Sequence, residues 1–264
     1  MRNLRALIAY DGSQFYGWQR QEGFISVQET LEIALETLLS AHVVVHGSGR
    51  TDTGVHALGQ VAHFHAETAL SDDRLRHALN AHLPEGVVVR RLETCADDFH
   101  AQFQSCGKRY AYRVVTTRFA PPFGRAYTHW VRDPLALEPM RAAARELVGR
   151  HDFASFATSG SPRKTTVRTI RSLHLHARRD WFAIVVEGDG FLYNMVRTIA
   201  GTLLDVGRGK LAAPDMARIL AERDRSAAGA TAPPQGLYLV SVRYPERPFQ
   251  GRDVGPRGAA GLFP

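Results

Sequence analysis

The chain has 264 residues, a formal net charge of +7 and a sequence pI of about 9.8. With 44% hydrophobic and 22% charged residues it reads as a soluble globular protein, long enough for one large domain or two small ones. Two cysteines, Cys95 and Cys106, exclude a disulfide framework and a four-cysteine zinc site. No apolar run nears the ~20 residues that span a bilayer, and the first apolar stretch meets Asp11 too early for a signal-peptide core. The expectation is a cytoplasmic, non-membrane protein whose two thiols are reduced and half-buried. Its basic, arginine-dominated charge favours a polyanionic partner, because arginine pairs with phosphate in a bidentate fork and releases counterions.

Taken in chain order, Leu4–Tyr10 is an apolar strand, followed by a turn at Asp11-Gly12-Ser13. Ser26, with Glu29 three positions on, is a capping box that opens a helix, and Val27, Leu31, Ala34, Leu35 and Leu38 form its apolar face. Val43–Val45 reads as a short strand and Gly59–His65 as another. Ser71–Leu83 is a helix stopped by Pro84, and Val87–Leu92 a strand. This order, β-α-β-β-α-β, is the split pattern of ferredoxin-like folds. A related series follows: a strand at Arg109–Val115 with Tyr110, Tyr112 and Val114 on one face, then a helix at Pro139–Val148 ended by Gly149. Strands at Thr169–Ala177 and Trp181–Glu187 come next, then helices at Phe191–Val206 and Met216–Glu222 and a last strand at Leu237–Tyr244. The fold class expected is α+β: two ferredoxin-like halves with mixed, mainly antiparallel sheets flanked by helices, and a central cleft, which the resemblance described below would make RNA-binding. The boundaries expected are residues 1–104 for the half carrying the Asp52 loop, 105–245 for the second half, and 246–264 for an extended or disordered tail rich in Gly and Pro.

The segment His46-Gly47-Ser48-Gly49-Arg50-Thr51-Asp52-Thr53-Gly54-Val55-His56-Ala57 lies between two strands. Its glycines permit close backbone approach, and a loop of this kind holds one carboxylate where a ligand can reach it. A Walker phosphate loop requires Gly-Lys where this chain has Gly54-Val55, and a dinucleotide fingerprint requires a further glycine. Asp52-Thr53-Gly54 is the triplet of aspartic proteases, but that chemistry shares a proton between two such carboxylates and no second triplet occurs. Arg50 nearby also opposes the raised pKa such a dyad needs. On the residues alone, an Asx-turn and a functional carboxylate both stay open.

Gly49-Arg50-Thr51-Asp52-Thr53-Gly54-Val55-His56-Ala57-Leu58-Gly59-Gln60-Val61-Ala62-His63-Phe64 resembles the signature of the TruA family of tRNA pseudouridine synthases. The segments Tyr10–Gln21, Val27-Gln28, Asp97–Ala101, Lys108–Tyr112, Asn194–Arg197 and Gly236–Val240 match in the same order, so the resemblance runs nearly to Tyr244. Thr53 stands where the family usually has Ala. The resemblance implies isomerisation of uridine to pseudouridine at positions 38, 39 and 40 of the tRNA anticodon arm by a homodimer without cofactor or metal. It further implies Asp52 as the catalytic carboxylate, supported by Arg197. Tyr110 is implied as an aromatic platform, Arg50 as the residue at the entrance, and Leu237 with Leu239 as part of the pocket wall. The carboxylate either adds covalently at C1′ or assists removal of the 2′ proton, and the sequence does not choose. The target base must leave its stack, which calls for an aromatic surface to receive it.

Among the twelve histidines, His63 and His65 share a strand face at i, i+2, but no third ligand accompanies them at recognisable spacing. Basic clusters at Arg163-Lys164, Arg168, Arg171, Arg178-Arg179 and Arg208–Lys210 are expected on solvated faces, some of them touching RNA phosphates.

Overall fold

A computed structural model describes residues 1–158, 165–246 and 248–249. It divides into two compact units, residues 1–106 with 238 onward, and residues 107–237.

The first unit contains β1 (Arg2–Tyr10), α1 (Val27–Leu39), β2 (His46–Gly47), β3 (His56–Ala66), α2 (Asp72–His82) and β4 (Val87–Thr94). β1 lies between β3 and β4, antiparallel to both, and β2 pairs antiparallel with β3. The order β4-β1-β3-β2 is the split β-α-β arrangement expected from the element order. α1 buries Val27, Leu31 and Leu35, and α2 buries Leu75 and Leu79, so each helix presents one apolar stripe. Ser26 caps α1 by accepting from the Glu29 amide at 3.2 Å. The other half of the capping box does not form. The Glu29 carboxylate faces Arg20 at 3.4 Å instead.

The short strand here is β2, one residue further on, and Val43–Val45 is not a strand. Its partners are side chains of α1: the Val45 amide donates to Glu32 Oε1 at 3.0 Å, and the Val45 carbonyl accepts from Gln28 Nε2 at 3.1 Å. Val43 and Val45 are buried and Val44 is exposed, so the alternation read from the sequence is present without the ladder.

The second unit contains β5 (Gly107–Val115), β6 (His129–Trp130), α3 (Leu137–Glu146), β7 (Gly149–Asp152), β8 (Val167–Ala177), β9 (Trp181–Gly188), α4 (Met195–Gly207) and α5 (Asp215–Glu222). β5, β9, β8 and β7 form an antiparallel run in that order, with β6 parallel to β5. α4 starts four residues later than the apolar pattern suggests, because Asn194 adopts a left-handed conformation at φ 62°. Gly201 on α4 receives the passing chain so closely that a Cβ there would stand 1.8 Å from the Ala230 carbonyl oxygen.

The last strand, β10 (Leu237–Arg243), differs from the expected boundaries. From Tyr238 onward it belongs to the first unit, where Tyr238 and Leu239 pair parallel with His56 and Ala57 of β3. Parallel pairing needs no nearby turn, so no local sequence signal announced it. Beyond it, Phe249 packs against Leu7, Val61, Phe99 and Tyr244, and its amide donates to Glu93 at 2.8 Å, so the chain is docked at a point where the sequence suggested a loose tail. Cys95 is half-buried as expected. Cys106 is exposed at the end of the first unit, where its amide donates to the Arg243 carbonyl at 2.8 Å.

Candidate active site

The Asp52 loop is held from three sides. Tyr10, on β1, places its hydroxyl 2.8 Å from Thr51 Oγ1, and both side chains are buried. Burial pushes the Tyr10 phenol far up, so it stays protonated and serves as a fixed hydrogen-bonding partner. The Trp18 amide donates to the Thr51 carbonyl at 3.0 Å, and the Val55 amide to the Asp52 carbonyl at 3.1 Å. Gln60, fully buried on β3, donates to the Gly49 carbonyl at 2.9 Å and accepts from Ser48 Oγ at 2.6 Å.

Two glycines let the neighbouring segment close on this loop. Gly17 has φ +85°, and a Cβ there would lie 2.6 Å from the Thr51 carbonyl oxygen. At Gly12 the same atom would lie 2.0 Å from the Val55 carbonyl oxygen. The loop backbone is therefore a fixed platform, with Asp52 half-buried and Arg50 exposed on it. Thr53 is exposed, so its hydroxyl needs no buried partner.

A second polar pair lies behind the loop. His56 is buried, with Nδ1 3.2 Å from Asp11 Oδ1 and 3.0 Å from the Gly12 amide that donates to it. Its ring stacks on Tyr238 at 4.8 Å. The motif reading passed over Tyr10, Asp11, Gln60 and His56 as functional supports. The available signal was a polar residue, Gln60, inside an otherwise apolar strand, where every buried polar group needs a partner.

The remaining site residues expected from the sequence belong to the second unit. Arg197, half-buried on α4, donates from Nε to the Ala232 carbonyl at 2.8 Å and from Nη1 to Asn194 Oδ1 at 2.8 Å. The Ala232 amide donates back to the Arg197 carbonyl at 3.1 Å. This guanidinium is thus aimed by its surroundings, unlike a surface arginine that snorkels freely. Tyr110 is buried opposite Val186 on β9, with its ring edge-on to Phe191 at 5.2 Å. Leu237 is buried at the start of β10 and follows Gly236, where a Cβ would meet the Tyr112 ring at 2.8 Å. Tyr112 is buried, and its hydroxyl reaches the Pro233 carbonyl at 2.9 Å.

His63 and His65 differ in character although their rings meet edge-on at 6.0 Å. His63 is buried, accepts from the Ala101 amide at 3.2 Å and stacks on His46 at 5.0 Å, whereas His65 is exposed. Among the described residues no group of three His, Cys, Asp or Glu side chains could hold a metal ion. Of the basic clusters, Arg163-Lys164 lies outside the described residues. Arg208 pairs with Asp133 at 3.1 Å and Asp205 at 3.2 Å, and Lys210 faces Asp205 at 3.7 Å, so that cluster is engaged within the protein. Among the described residues no helix is long and apolar enough to cross a membrane.

A family of tRNA pseudouridine synthases matches residues 6–104 and 143–245. The tRNA pseudouridine synthase A of Thermoanaerobacter sp. (strain X514) is 43% identical over 244 residues, covering 92% of this chain and 100% of that protein. The protein of the same name from Acetivibrio thermocellus is 44% identical over 244 residues, with 92% and 100% covered. The one from Bacillus licheniformis is 44% identical over 243 residues, with 91% and 98% covered. A crystal structure of the archaeal box H/ACA sRNP Nop10-Cbf5 complex aligns with 88% of this chain and 47% of that one, at 12% identity and a TM-score of 0.30, too faint a likeness to bear on function. The chain belongs to the tRNA pseudouridine synthase family, on the TruA branch its motifs resemble. It is accordingly an isomerase that works by intramolecular transfer.

Proposed function

We propose that this isomerase converts uridines 38, 39 and 40 of the tRNA anticodon arm to pseudouridine, with Asp52 as its nucleophile. Pseudouridylation of tRNA follows from family membership; the positions and the residue roles are our reading. In the reaction the N1–C1′ bond breaks, the uracil turns, and C5 bonds to C1′. The C5 proton passes to solvent and N1 gains one. No redox change and no net hydrolysis occur, so the chemistry calls for neither nicotinamide nor ATP.

The observation that carries the reading is the Asp52 loop itself: one half-buried carboxylate on a backbone pinned by Tyr10, Trp18 and Gln60. Such pre-organisation is what a group needs if it must meet C1′ in a narrow range of distance and angle. Arg197 supplies positive charge, which favours the ionised carboxylate. Tyr110 offers its ring to the extruded base, and Leu237 gives that base an apolar neighbour. Arg50, exposed beside Asp52, engages phosphate or the gap left in the stack. The working form is a homodimer with tRNA as its partner, in the cytoplasm.

The test is Asp52→Asn assayed by tritium release from C5-labelled uridine in tRNA, with binding followed by gel shift. Turnover is expected to vanish while tRNA is still bound. Turnover at the wild-type rate would remove Asp52 from the chemistry.

A further inference from the structure

We infer that Tyr16 and Phe24 form a stacking platform for an RNA base that flanks the uridine addressed by Asp52. The inference rests on the proposed function and adds a binding subsite to it.

The segment from residue 13 to 26 is built, not loose. The Tyr16 amide donates to the Ile25 carbonyl at 2.9 Å, the Val27 amide to the Gly17 carbonyl at 3.1 Å, and the Phe24 amide to the Gln21 carbonyl at 3.3 Å. Phe15 and Trp18 turn inward, at 4% and 2% exposure. Tyr16 and Phe24 turn outward, at 52% and 46%, with ring centroids 4.4 Å apart. A fixed segment that sorts its aromatic rings in this way leaves an apolar surface that the described residues of its unit do not cover.

Its position singles it out. Gly17, the residue after Tyr16, touches the Asp52 loop: a Cβ on Gly17 would lie 2.6 Å from the Thr51 carbonyl oxygen and 3.1 Å from the Asp52 carbonyl carbon. The Tyr16 Cα is one peptide, about 3.8 Å, from the Gly17 Cα. The rings thus belong to the segment that abuts the Asp52 loop, where they are placed to meet a nucleotide flanking a uridine held there.

The occupant is a nucleobase because the surroundings suit a polyanion. Arg50 is exposed on the adjoining loop, and the chain carries a net +7. Glu22 is exposed in the same segment; Arg20 is held at 3.4 Å by both Glu29 and Glu32. Every base has a π face, so stacking of this kind is tolerant of sequence. A platform of that type suits an enzyme that presents successive uridines, each with a different neighbour.

The experiment uses tRNA carrying 2-aminopurine on either side of the target uridine, and compares wild type with Tyr16→Ala, Phe24→Ala, Tyr16→Leu and Tyr16→Phe. Wild type is expected to quench the probe on one flank. Tyr16→Ala should lose the quench and raise KM for tRNA about 5- to 150-fold, the span that one stacked base is worth, with kcat little changed. Tyr16→Phe should restore both and Tyr16→Leu neither. No quench by wild type on either flank overturns the platform, as does rescue by Tyr16→Leu equal to that by Tyr16→Phe, which would show packing without stacking. A change in sedimenting mass in the alanine variants with KM unchanged would assign the rings to a second copy of the chain. Failure of the parent reading looks different: wild type would then release no tritium from tRNA at all.

Discussion

His63 shows how a side chain suggestive of metal binding is explained by packing. Burial, reinforced by the nearby His100, His46 and His65, brings its pKa from 6.5 down to about 4, so it is neutral at ordinary pH. His129 is brought down to about 4 by burial and by Arg208. Both rings take up a proton more easily in the unfolded chain. Their contribution to stability is therefore complete above about 6.5 and is lost as pH falls from there towards 4. Urea unfolding midpoints are expected to drop between pH 7 and pH 5, with a shallower drop in His63→Gln; an unchanged slope in that variant would exclude His63 as a source. At this scale the sequence identified Asp52 and Arg50 as neighbours on one loop. It did not show that Tyr10, Gln60 and Trp18 would hold them, because those contacts join residues distant along the chain.

Among the elements, helices and strands with complete local signals were legible. α1 starts where Ser26 caps it, and α2 where Ser71 does. Legibility failed where a tertiary partner replaced a local one. Val43–Val45 alternates like a strand but bonds to Gln28 and Glu32. The apolar pattern from Phe191 continues into α4, yet left-handed Asn194 separates the two. α4 also shows how packing aims the side chain to which we assign the support of Asp52. Close approach at Gly201 admits the segment containing Ala230 and Ala232, and Ala232 in turn grips Arg197 through its carbonyl and amide. Gly201→Ala should push that segment away, since its Cβ would meet backbone at 1.8 Å. The expected result is a fall of about 1–3 kcal/mol in unfolding free energy, the usual cost of overpacking, together with a kcat loss greater than any change in tRNA affinity. Wild-type kcat in a folded Gly201→Ala protein would separate Arg197 placement from catalysis.

For the molecule as a whole, charge sets the interaction with RNA. A chain of net +7 that neutralises phosphates should lose affinity steeply with salt, by a log–log slope of about −0.7 to −0.9 for each phosphate contacted. Filter binding of tRNA across a salt series measures this, and a flat response would remove phosphate contacts from the account. The basic composition was visible at once. Which basic side chains are available was not, since Arg208 and Lys210 turn out to be committed to Asp133 and Asp205.

β10 has a consequence for how the protein comes into being. The strand that lies along the His56 end of β3, with Tyr238 stacked on His56, leaves the ribosome only after the whole of the second unit. Throughout synthesis of residues 107–237 the nascent first unit keeps that edge of β3 open, close to the loop that carries Asp52. Strand edges of this kind invite wrong pairing, so the growing chain is exposed there until Tyr238 and Leu239 have been made. The surroundings of the carboxylate loop are finished only after the second unit has been made, and a stalled or truncated product lacking Tyr238 is expected to be both aggregation-prone and inactive.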